Sequence, residues 1–490
     1  MAGSLNPFLG DFGDDAEFLV LGQALARWDG YAWINSPEQP AHNRYPPGYP
    51  VLVAATLLVT GTVRDASAGI LPAKLATAAT LLATVPLLWR FARARLAPWW
   101  AAGAVALFAL NPVAIRFAVQ VMSDVPYVPA LLVTLLWAER SHARPYRWSW
   151  LTLGALLAFG AYVRSIGLPV AAGVLAWVWV RQGRPSALAA TATFVAVMAP
   201  WWLRDAALAG GWRYLEELTS ATYQDPATGS ISAGGLLARA VENGAFVLGK
   251  PAAFGPIGLF AAGLGGLLLV LGAWRSAQLR GGAAEWAAAA LFLSVLFWPI
   301  KTGRYLLPVI PLAGVYAVLG SLELRDRMAS RTGRRALWDV ALGGGVTLAC
   351  TVYAALGARD AAHNMTALSR GSDAPAYYED RPEWAHYLEA AAWLRRNADP
   401  ADVAMARRHF ALYVYSGRFV EKYRFDTTED ELVYLTAGSA RKFVVEDAFD
   451  YLRGDFAPLP ATLRARGGDL VLRYETSAPR VRVWELVRPR

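Results

Sequence analysis

Apolar stretches alternate with short charged loops from Ile70 to Leu356. Several stretches fall short of the roughly 20 residues that a helix perpendicular to a bilayer needs, so neighbouring loop residues must complete them. The pattern predicts a polytopic α-helical membrane protein with about 10–11 transmembrane helices. The candidate spans are residues 70–89, 99–114, 126–138, 150–163, 166–180, 186–203, 254–273, 284–300, 305–322 and 337–356.

The pattern changes after residue 357, where charged residues become frequent. Residues 383–397 carry apolar positions along one side and predict a surface helix. Residues 403–406 and 442–445 predict short strands, and the alternating segments 470–474 and 481–486 predict a hairpin. We therefore divide the chain into three parts: a first outer loop with interfacial helices (1–69), a transmembrane core (70–357), and a small extracytoplasmic α/β domain (358–490).

Composition supports the membrane assignment. Hydrophobic residues make up 56% of the chain and charged residues 17%, too apolar for an ordinary soluble protein. The net charge of +9 does not indicate nucleic acid, because the arginines cluster in alternate loops. This positive-inside pattern places those loops in the cytoplasm and predicts a multi-pass protein of the inner or plasma membrane. The clustered arginines are Arg90, Arg93, Arg95, Arg140, Arg144, Arg147, Arg181, Arg184, Arg275, Arg280, Arg325, Arg327, Arg331, Arg334 and Arg335.

The same topology places the remaining segments on the outer side of the membrane: residues 13–50, 111–125, 204–250, 301–304 and everything after about residue 357. The only cysteine, Cys350, lies inside a span, so no disulfide is expected in the outer domain. The chain reaches its first outer loop after the segment MAGSLNPFLGDF, without a span to carry it across. We expect that a helix preceding Met1 has been lost; translocation of the N-terminus itself is the alternative.

Three carboxylates are the first candidates for chemistry. Asp14 and Asp15 stand where a helix over residues 16–27 would begin, and Asp124 stands at the outer mouth of a span, beside Pro126. Acidic residues at a membrane boundary are costly and often functional. The structural alternatives are a helix N-cap for Asp14 or Asp15 and a simple helix start for Asp124.

Four cations at outward span ends run against the positive-inside rule: Arg164, Arg204, Lys301 and Arg304. Binding of an anionic lipid headgroup would explain them, because guanidinium holds phosphate through a bidentate fork. Snorkelling or pairing with nearby aspartates is the alternative for each of them.

The loop from His42 to Pro50, HNRYPPGYP, leads into an apolar run that predicts an interfacial helix. His42 is a candidate metal ligand or sugar contact. The chain has five histidines and no HxxH or HxxE pair, so the sequence requires no cofactor and leaves a divalent metal open. The aromatic residues of the outer loops stack on sugars or belong to an interfacial belt, and the belt is the simpler interpretation. They are Trp28, Tyr31, Trp33 and Trp212.

Taken in order, these segments resemble the GT-C superfamily of membrane glycosyltransferases. The pattern is similar to the branch of dolichyl-phosphate-mannose protein mannosyltransferases and the aminoarabinose transferase of lipid A. It combines an acidic run, YPPGYP, NP followed by SDVP, RxxGL, PWxxR and RYLLPxxP. The matching segments are residues 14–18, 45–50, 111–126, 164–168, 200–204 and 304–311.

The resemblance implies an inverting transferase that takes a sugar from a polyprenyl-phosphate carrier at the outer leaflet. Asp14 matches the essential acidic residue of such enzymes and is expected to deprotonate the acceptor hydroxyl, with Asp15 as the second choice. Asp124 is expected to support the acceptor or the hydrogen bonds of the site. The residues expected to bind substrate, several of them at the lipid phosphate, are His42, Tyr45, Arg164, Arg204, Lys301, Arg304 and Tyr305.

The expected partners are the lipid-linked donor, membrane lipids and an envelope lipid, glycan or protein acceptor. Two other classes of function stay open. A transporter or lipid flippase would carry charges or broken helices within its spans. A non-catalytic scaffold would bind cell-wall polymer through the outer domain and would have no reason to gather Asp14, Asp124 and Arg304 around one cavity.

Overall fold

The computed structural model describes residues 1–9, 13–146, 148–209, 218–222, 225–252, 255–301, 303–371, 373–423, 440–449, 465 and 467–487. Trp212 lies outside these residues. The first part of the chain forms helices α1 Gly13–Ala26, α2 Gly48–Thr60, α3 Ile70–Arg93, α4 Pro98–Ala109, α5 Pro112–Ala118, α6 Asp124–Ala143, α7 Ser149–Val163, α8 Gly167–Gln182 and α9 Arg184–Ala209.

A short hairpin follows, formed by strands β1 Ser220–Thr222 and β2 Asp225–Ser230. The helical part continues with α10 Ala233–Ala252, α11 Gly255–Arg280, α12 Ala283–Phe297, the 3₁₀ turn Gly303–Val309, α13 Ile310–Thr332 and α14 Arg335–Arg370. The C-terminal part contains α15 Ala374–Tyr377, α16 Pro382–Asn397, β3 Val403–Ala406, α17 His409–Ser416, β4 Phe419–Lys422, β5 Lys442–Glu446, β6 Leu470–Glu475 and β7 Arg482–Leu486.

Each predicted span overlaps one or two helices, and the fold is polytopic and α-helical as predicted. Among the described residues, four helices are long and apolar enough to cross a membrane, or five if the bent pair α4 and α5 is one span. The four are Ile70–Arg93, Arg184–Leu208, Gly303–Thr332 and Arg335–Arg370. Three shorter helices, α2, α7 and α12, are also apolar.

The candidate span over residues 99–114 is broken into two helices, because the chain bends by 54° between α4 and α5. Pro112 lacks the amide proton that a continuing helix needs. Asn111 caps the new helix, since its side-chain oxygen accepts hydrogen bonds from the amides of Val113 (2.9 Å) and Ala114 (3.2 Å). The bend directs the chain towards Ser123 and Asp124 at the start of α6.

The C-terminal part is a five-stranded sheet in the order β4-β3-β5-β7-β6 with helices packed against it. Strands β4, β3 and β5 are parallel, and β5, β7 and β6 are antiparallel. The predicted surface helix, strands and hairpin are therefore confirmed. The buried side of α16 includes Trp384 and Leu388, as its apolar spacing indicates.

Residues 1–69, the predicted first outer loop, pack directly against this sheet domain. One apolar cluster joins α1, α2, α16 and α17 through residues such as Leu19, Val53, Trp384 and Leu412. Asn35 borders strand β4: the Val420 amide donates to its carbonyl (2.7 Å), and its side-chain amide donates to the Val420 carbonyl (2.8 Å). These contacts fix the direction of α1, whose first turn carries Asp14.

Candidate active site

A cavity of about 650 Å³ lies where the first turn of α1, the junction of α7 and α8, the end of α12 and the 3₁₀ turn meet. Its polar lining is concentrated in a few side chains, and most of the remaining lining is aliphatic or aromatic. The polar lining residues are Asp14, Arg44, Tyr45, Ser123, Arg164, Ser165, Ser294, Arg304 and Tyr305. Such a cavity suits an amphipathic ligand with one charged end.

Asp14 lies in the first turn of α1, where the helix dipole favours a carboxylate. Its Oδ2 accepts a hydrogen bond from Arg304 Nη2 at 2.5 Å, and a quarter of its side chain stays exposed. Burial raises the pKa of the carboxyl, but the charges of Arg304 and Arg44 and hydrogen bonds from Arg304 and Tyr45 outweigh burial and lower it. Asp14 is therefore a carboxylate, able to accept a proton.

Asp124 is buried beneath the cavity wall rather than exposed in it. Arg164 Nη1 donates to its Oδ2 at 2.7 Å, and Arg304 Nε lies 3.9 Å from its Oδ1. Its side chain is 0% exposed. Asp124 contacts the two arginines and is not among the residues that line the cavity; its expected role, support of the acceptor or of the hydrogen bonds of the site, stays a prediction.

Arg304 and Arg164 present two guanidinium groups on one side of the cavity. Arg304 lies between the carboxylates of Asp14 and Asp124, and Arg164 follows α7, where the chain turns into α8. Both guanidinium groups lie near the ring of Tyr305, at 5.4 Å and 5.8 Å from its centroid. This arrangement leaves both cations accessible to an anion in the cavity, because neither is fully covered.

Asp15 is placed differently from its neighbour. Its side chain is buried, its Oδ1 accepts the amide proton of Ala16 at 2.7 Å, and it does not line the cavity. On a helix, adjacent residues point about 100° apart, so only one of the two aspartates can face the cavity. Asp14 is therefore the aspartate of the pair that lines the cavity.

His42 and Arg204 organise the first outer loop instead of facing the cavity. The Tyr45 amide donates to His42 Nε2 (2.7 Å), and the imidazole packs against the rings of Tyr31, Trp33 and Tyr45. Arg204 donates to the carbonyls of His42 (2.6 Å) and Tyr31 (3.0 Å). Neither residue lines the cavity, and both support the loop; their expected contact with substrate stays a prediction.

Trp28, another of the aromatic residues named from the sequence, is 89% exposed at the end of α1 and has a left-handed backbone (φ 63°).

Lys301 lies outside the cavity lining, and its Nζ donates to Glu242 Oε2 at 2.7 Å. Both side chains of this pair are about half exposed. Lys301 is therefore not placed to hold a phosphate in this cavity.

Two residues of the site were not assigned from the sequence. Arg44 lines the cavity next to Tyr45, and its charge acts on Asp14. Glu17 is buried one turn after Asp14 and accepts a hydrogen bond from Trp33 Nε1 at 3.1 Å. The position of Arg44 directly before YPPGYP could have marked it as a site residue. Nothing in the sequence marks Glu17 in this way, because its burial depends on the distant sheet domain.

The carboxylates do not suit a divalent metal. Within the described part of the chain, no group of three or more His, Cys, Asp or Glu side chains comes together. Asp14 and Asp124 instead share the guanidinium of Arg304, which already supplies positive charge between them.

No family model and no curated protein matches this sequence. Solved structures do match it. ArnT from Cupriavidus metallidurans bound to undecaprenyl phosphate is 15% identical, with a TM-score of 0.58 over 99% of this chain and 96% of that one. The archaeal oligosaccharyltransferase AglB from Archaeoglobus fulgidus, in complex with an inhibitory peptide and a dolichol-phosphate, is 10% identical. Its TM-score is 0.53 over 89% of this chain and 65% of that one.

Both neighbours are members of the GT-C superfamily, the superfamily whose motifs the sequence resembles. The likeness covers the helical part and the small C-terminal sheet domain together. At these identities it establishes the architecture: the protein has the fold shared by ArnT and AglB.

Proposed function

We propose that this protein is an inverting glycosyltransferase. It moves a sugar from a polyprenyl-phosphate carrier to a hydroxyl of an envelope lipid, glycan or protein at the outer face of a bacterial inner membrane, where the C-terminal domain also lies. The observation that carries the proposal is the meeting of Asp14, Arg164 and Arg304 at one apolar-walled cavity. The fold shared with ArnT and AglB, each solved with a polyprenyl phosphate, supports the choice of donor.

Asp14 is the proposed general base. The acceptor hydroxyl oxygen attacks the anomeric carbon, its proton passes to the Asp14 carboxylate, and the bond from that carbon to the phosphate oxygen breaks with its electron pair. The lowered pKa of Asp14 keeps the group ionised at neutral pH. A positioned base of this kind contributes about 10²–10⁴-fold to a rate.

Arg304 and Arg164 are the proposed cradle for the leaving polyprenyl phosphate. They stabilise the negative charge that grows on the phosphate as the glycosidic bond breaks, and their fixed positions reduce the reorganisation needed. Asp124 holds both guanidinium groups, through Oδ2 to Arg164 and Oδ1 towards Arg304. The apolar walls, including Leu168, Val295 and Trp298, suit the first isoprene units.

Inversion requires that the acceptor oxygen and the leaving phosphate lie on opposite sides of the anomeric carbon. Asp14 Oδ2 and Arg304 Nη2 are only 2.5 Å apart, so a bound donor must separate them to place its sugar between. Moving Arg304 onto the phosphate removes a cation from Asp14. The pKa of Asp14 then rises, and the carboxylate becomes a stronger base when the donor is in place.

The test is Asp14→Asn in purified protein in nanodiscs, assayed for release of polyprenyl phosphate from a panel of lipid-linked sugars. We expect transfer to fall by about 10²–10⁴-fold, while binding of polyprenyl phosphate is retained. Asp15→Asn is the matched control, because Asp15 does not line the cavity. Undiminished transfer by Asp14→Asn would rule out the base.

A lipid flippase is the second candidate, favoured by the same cavity with its charged end and apolar walls. Flipping a lipid phosphate does not require an ionised carboxylate in contact with the cation that binds the phosphate. Reconstituted protein that moves a labelled polyprenyl phosphate across vesicles, without sugar transfer from any donor in the panel, would support the flippase over the transferase.

A further inference from the structure

Glu17 is a buried carboxyl next to the proposed base. It lies one turn after Asp14 on α1 and is 5% exposed. Its Oε1 accepts the indole proton of Trp33 at 3.1 Å and lies 3.7 Å from His42 Nδ1. It does not line the cavity, so it cannot contact substrate there.

The imidazole of His42 is neutral in this arrangement. Its Nε2 accepts the Tyr45 amide proton at 2.7 Å, and a nitrogen that accepts cannot also carry a proton. The ring proton is therefore on Nδ1, facing Glu17. The contact between Glu17 and His42 is thus polar rather than a pair of full charges, and it connects Glu17 to the loop that places Arg44 and Tyr45 in the cavity.

Glu17 also faces the sheet domain. Trp33, which donates to it, packs against Phe410 of α17 (ring centroids 5.9 Å apart). The charge of Lys422 on β4 acts on Glu17, as do those of Arg44 in the loop and Asp14 on its own helix. Three structural elements therefore meet at one carboxyl: α1, the loop over residues 28–47 and the sheet domain.

We propose that Glu17 is a positioning residue for the base: in its protonated form it holds the loop and the sheet domain against α1, and its ionisation loosens them. This inference rests on the proposed function only for its effect on sugar transfer. The structural part concerns contacts of Glu17 alone and is tested without any donor.

The direction of the pH effect follows from linkage. Burial raises the pKa of Glu17 to about 7, against the opposing charges of Arg44 and Lys422. In the loosened form Glu17 is exposed to water and has an ordinary pKa, so it ionises at a lower pH than in the packed form. Rising pH therefore favours the loosened form. The effect levels off above the pKa of the packed form, where Glu17 is ionised in both. His409 on α17, whose burial lowers its pKa to about 3, stays neutral over this range.

The experiment is hydrogen–deuterium exchange of residues 28–47 in nanodiscs, corrected for the intrinsic pH dependence of exchange. Between about pH 6 and pH 8 we expect local opening to increase about tenfold in the wild-type protein. Glu17→Gln keeps the acceptor for Trp33 but cannot ionise, so its protection should stay constant. Glu38→Gln, an exposed carboxyl of the same loop, is the control and should behave as wild type.

Lys422→Met is a second variant on an exposed side chain. The positive charge of Lys422 lowers the pKa of Glu17, so removing that charge should raise the pKa. Local opening should then continue to increase up to a higher pH than in the wild-type protein. In the transfer assay, Glu17→Gln should retain the rate that the wild-type protein loses above about pH 7. Equal opening of Glu17→Gln and wild type at every pH overturns the inference, whether or not transfer is detected.

Discussion

Helix α6 carries one carboxylate near each end, and each is paired with two arginines. Asp124 begins the helix and lies against Arg164 and Arg304, whereas Glu139, about 22 Å further along the axis, pairs with Arg95 and Arg280. At the first end Asp14 and Arg304 are 25% and 16% exposed and line the cavity. At the second end Arg95 and Glu139 are 0% and 1% exposed.

Arg95 and Glu139 of the second cluster are enclosed by the helices that they join, whereas Arg280 is about a third exposed. Arg95 donates to Ser276 Oγ at 2.7 Å and to the Phe91 carbonyl at 3.1 Å, and its guanidinium lies over the Phe91 ring. Its polar atoms are thereby used within the fold, and no lining residue of the cavity belongs to it. The difference between the two ends shows that access to the cavity, and not charge, distinguishes the proposed anion site from a structural ion pair.

The largest effect on function is expected from Arg304→Ala. Losing the guanidinium that faces both Asp14 and the proposed phosphate should lower transfer by about 10²–10³-fold. Arg304→Lys should recover only part of this, because ammonium lacks the bidentate fork. Transfer and polyprenyl-phosphate affinity are the measurements. An affinity equal to wild type in Arg304→Ala would contradict the cradle.

Arg95→Met should act on stability alone. Removing Arg95 leaves the buried Glu139 with only the partly exposed Arg280, 3.4 Å away, and should cost up to about 3–5 kcal/mol. A thermal shift in nanodiscs measures this loss. The fraction that stays folded should bind polyprenyl phosphate as wild type does, and weaker binding there would mean that the two ends of α6 are functionally coupled.

Arg44→Met should shift the acidic limb of the pH profile of transfer to higher pH. The depressed pKa of Asp14 keeps the base ionised, and activity is lost as pH falls through that pKa. Because the charge of Arg44 lowers this pKa, the variant should lose activity at a higher pH than wild type. The pH profile of kcat/KM measures the shift, with Arg27→Met, at the other end of α1, as the control.

Lys301→Ala should have the smallest effect. Its ion pair with Glu242 is exposed, and such pairs contribute about 0–1 kcal/mol. We expect transfer within about threefold of wild type, in line with that energy. A loss approaching that of Arg304→Ala would show that Lys301 reaches the phosphate after all.

Much of the fold could be predicted from the sequence, because apolar stretches and charged loops record the alternation of buried and solvated segments directly. The positions of the helices and the antiparallel hairpin of β6 and β7 follow from local periodicity. The bend at Asn111 was missed, since the apolar pattern continues through it and only Pro112 marks the break.

The site was predictable in part. Asp14, Tyr45, Arg164, Arg304 and Tyr305 were selected from motifs and all line one cavity. His42, Arg204 and Lys301 were chosen by the same reasoning and lie elsewhere, because a cation or imidazole near a boundary looks the same in sequence whether it meets a ligand or a backbone carbonyl. Distinguishing them requires the tertiary contacts that only the folded chain provides.

Asn35 and the shared apolar cluster have a practical consequence for the sheet domain. Produced without the preceding residues, that domain would expose the edge of β4 and the apolar sides of α16 and α17 to water. Uncovered strand edges next to apolar surface promote self-association. We therefore expect the isolated domain to precipitate unless residues 13–60 accompany it.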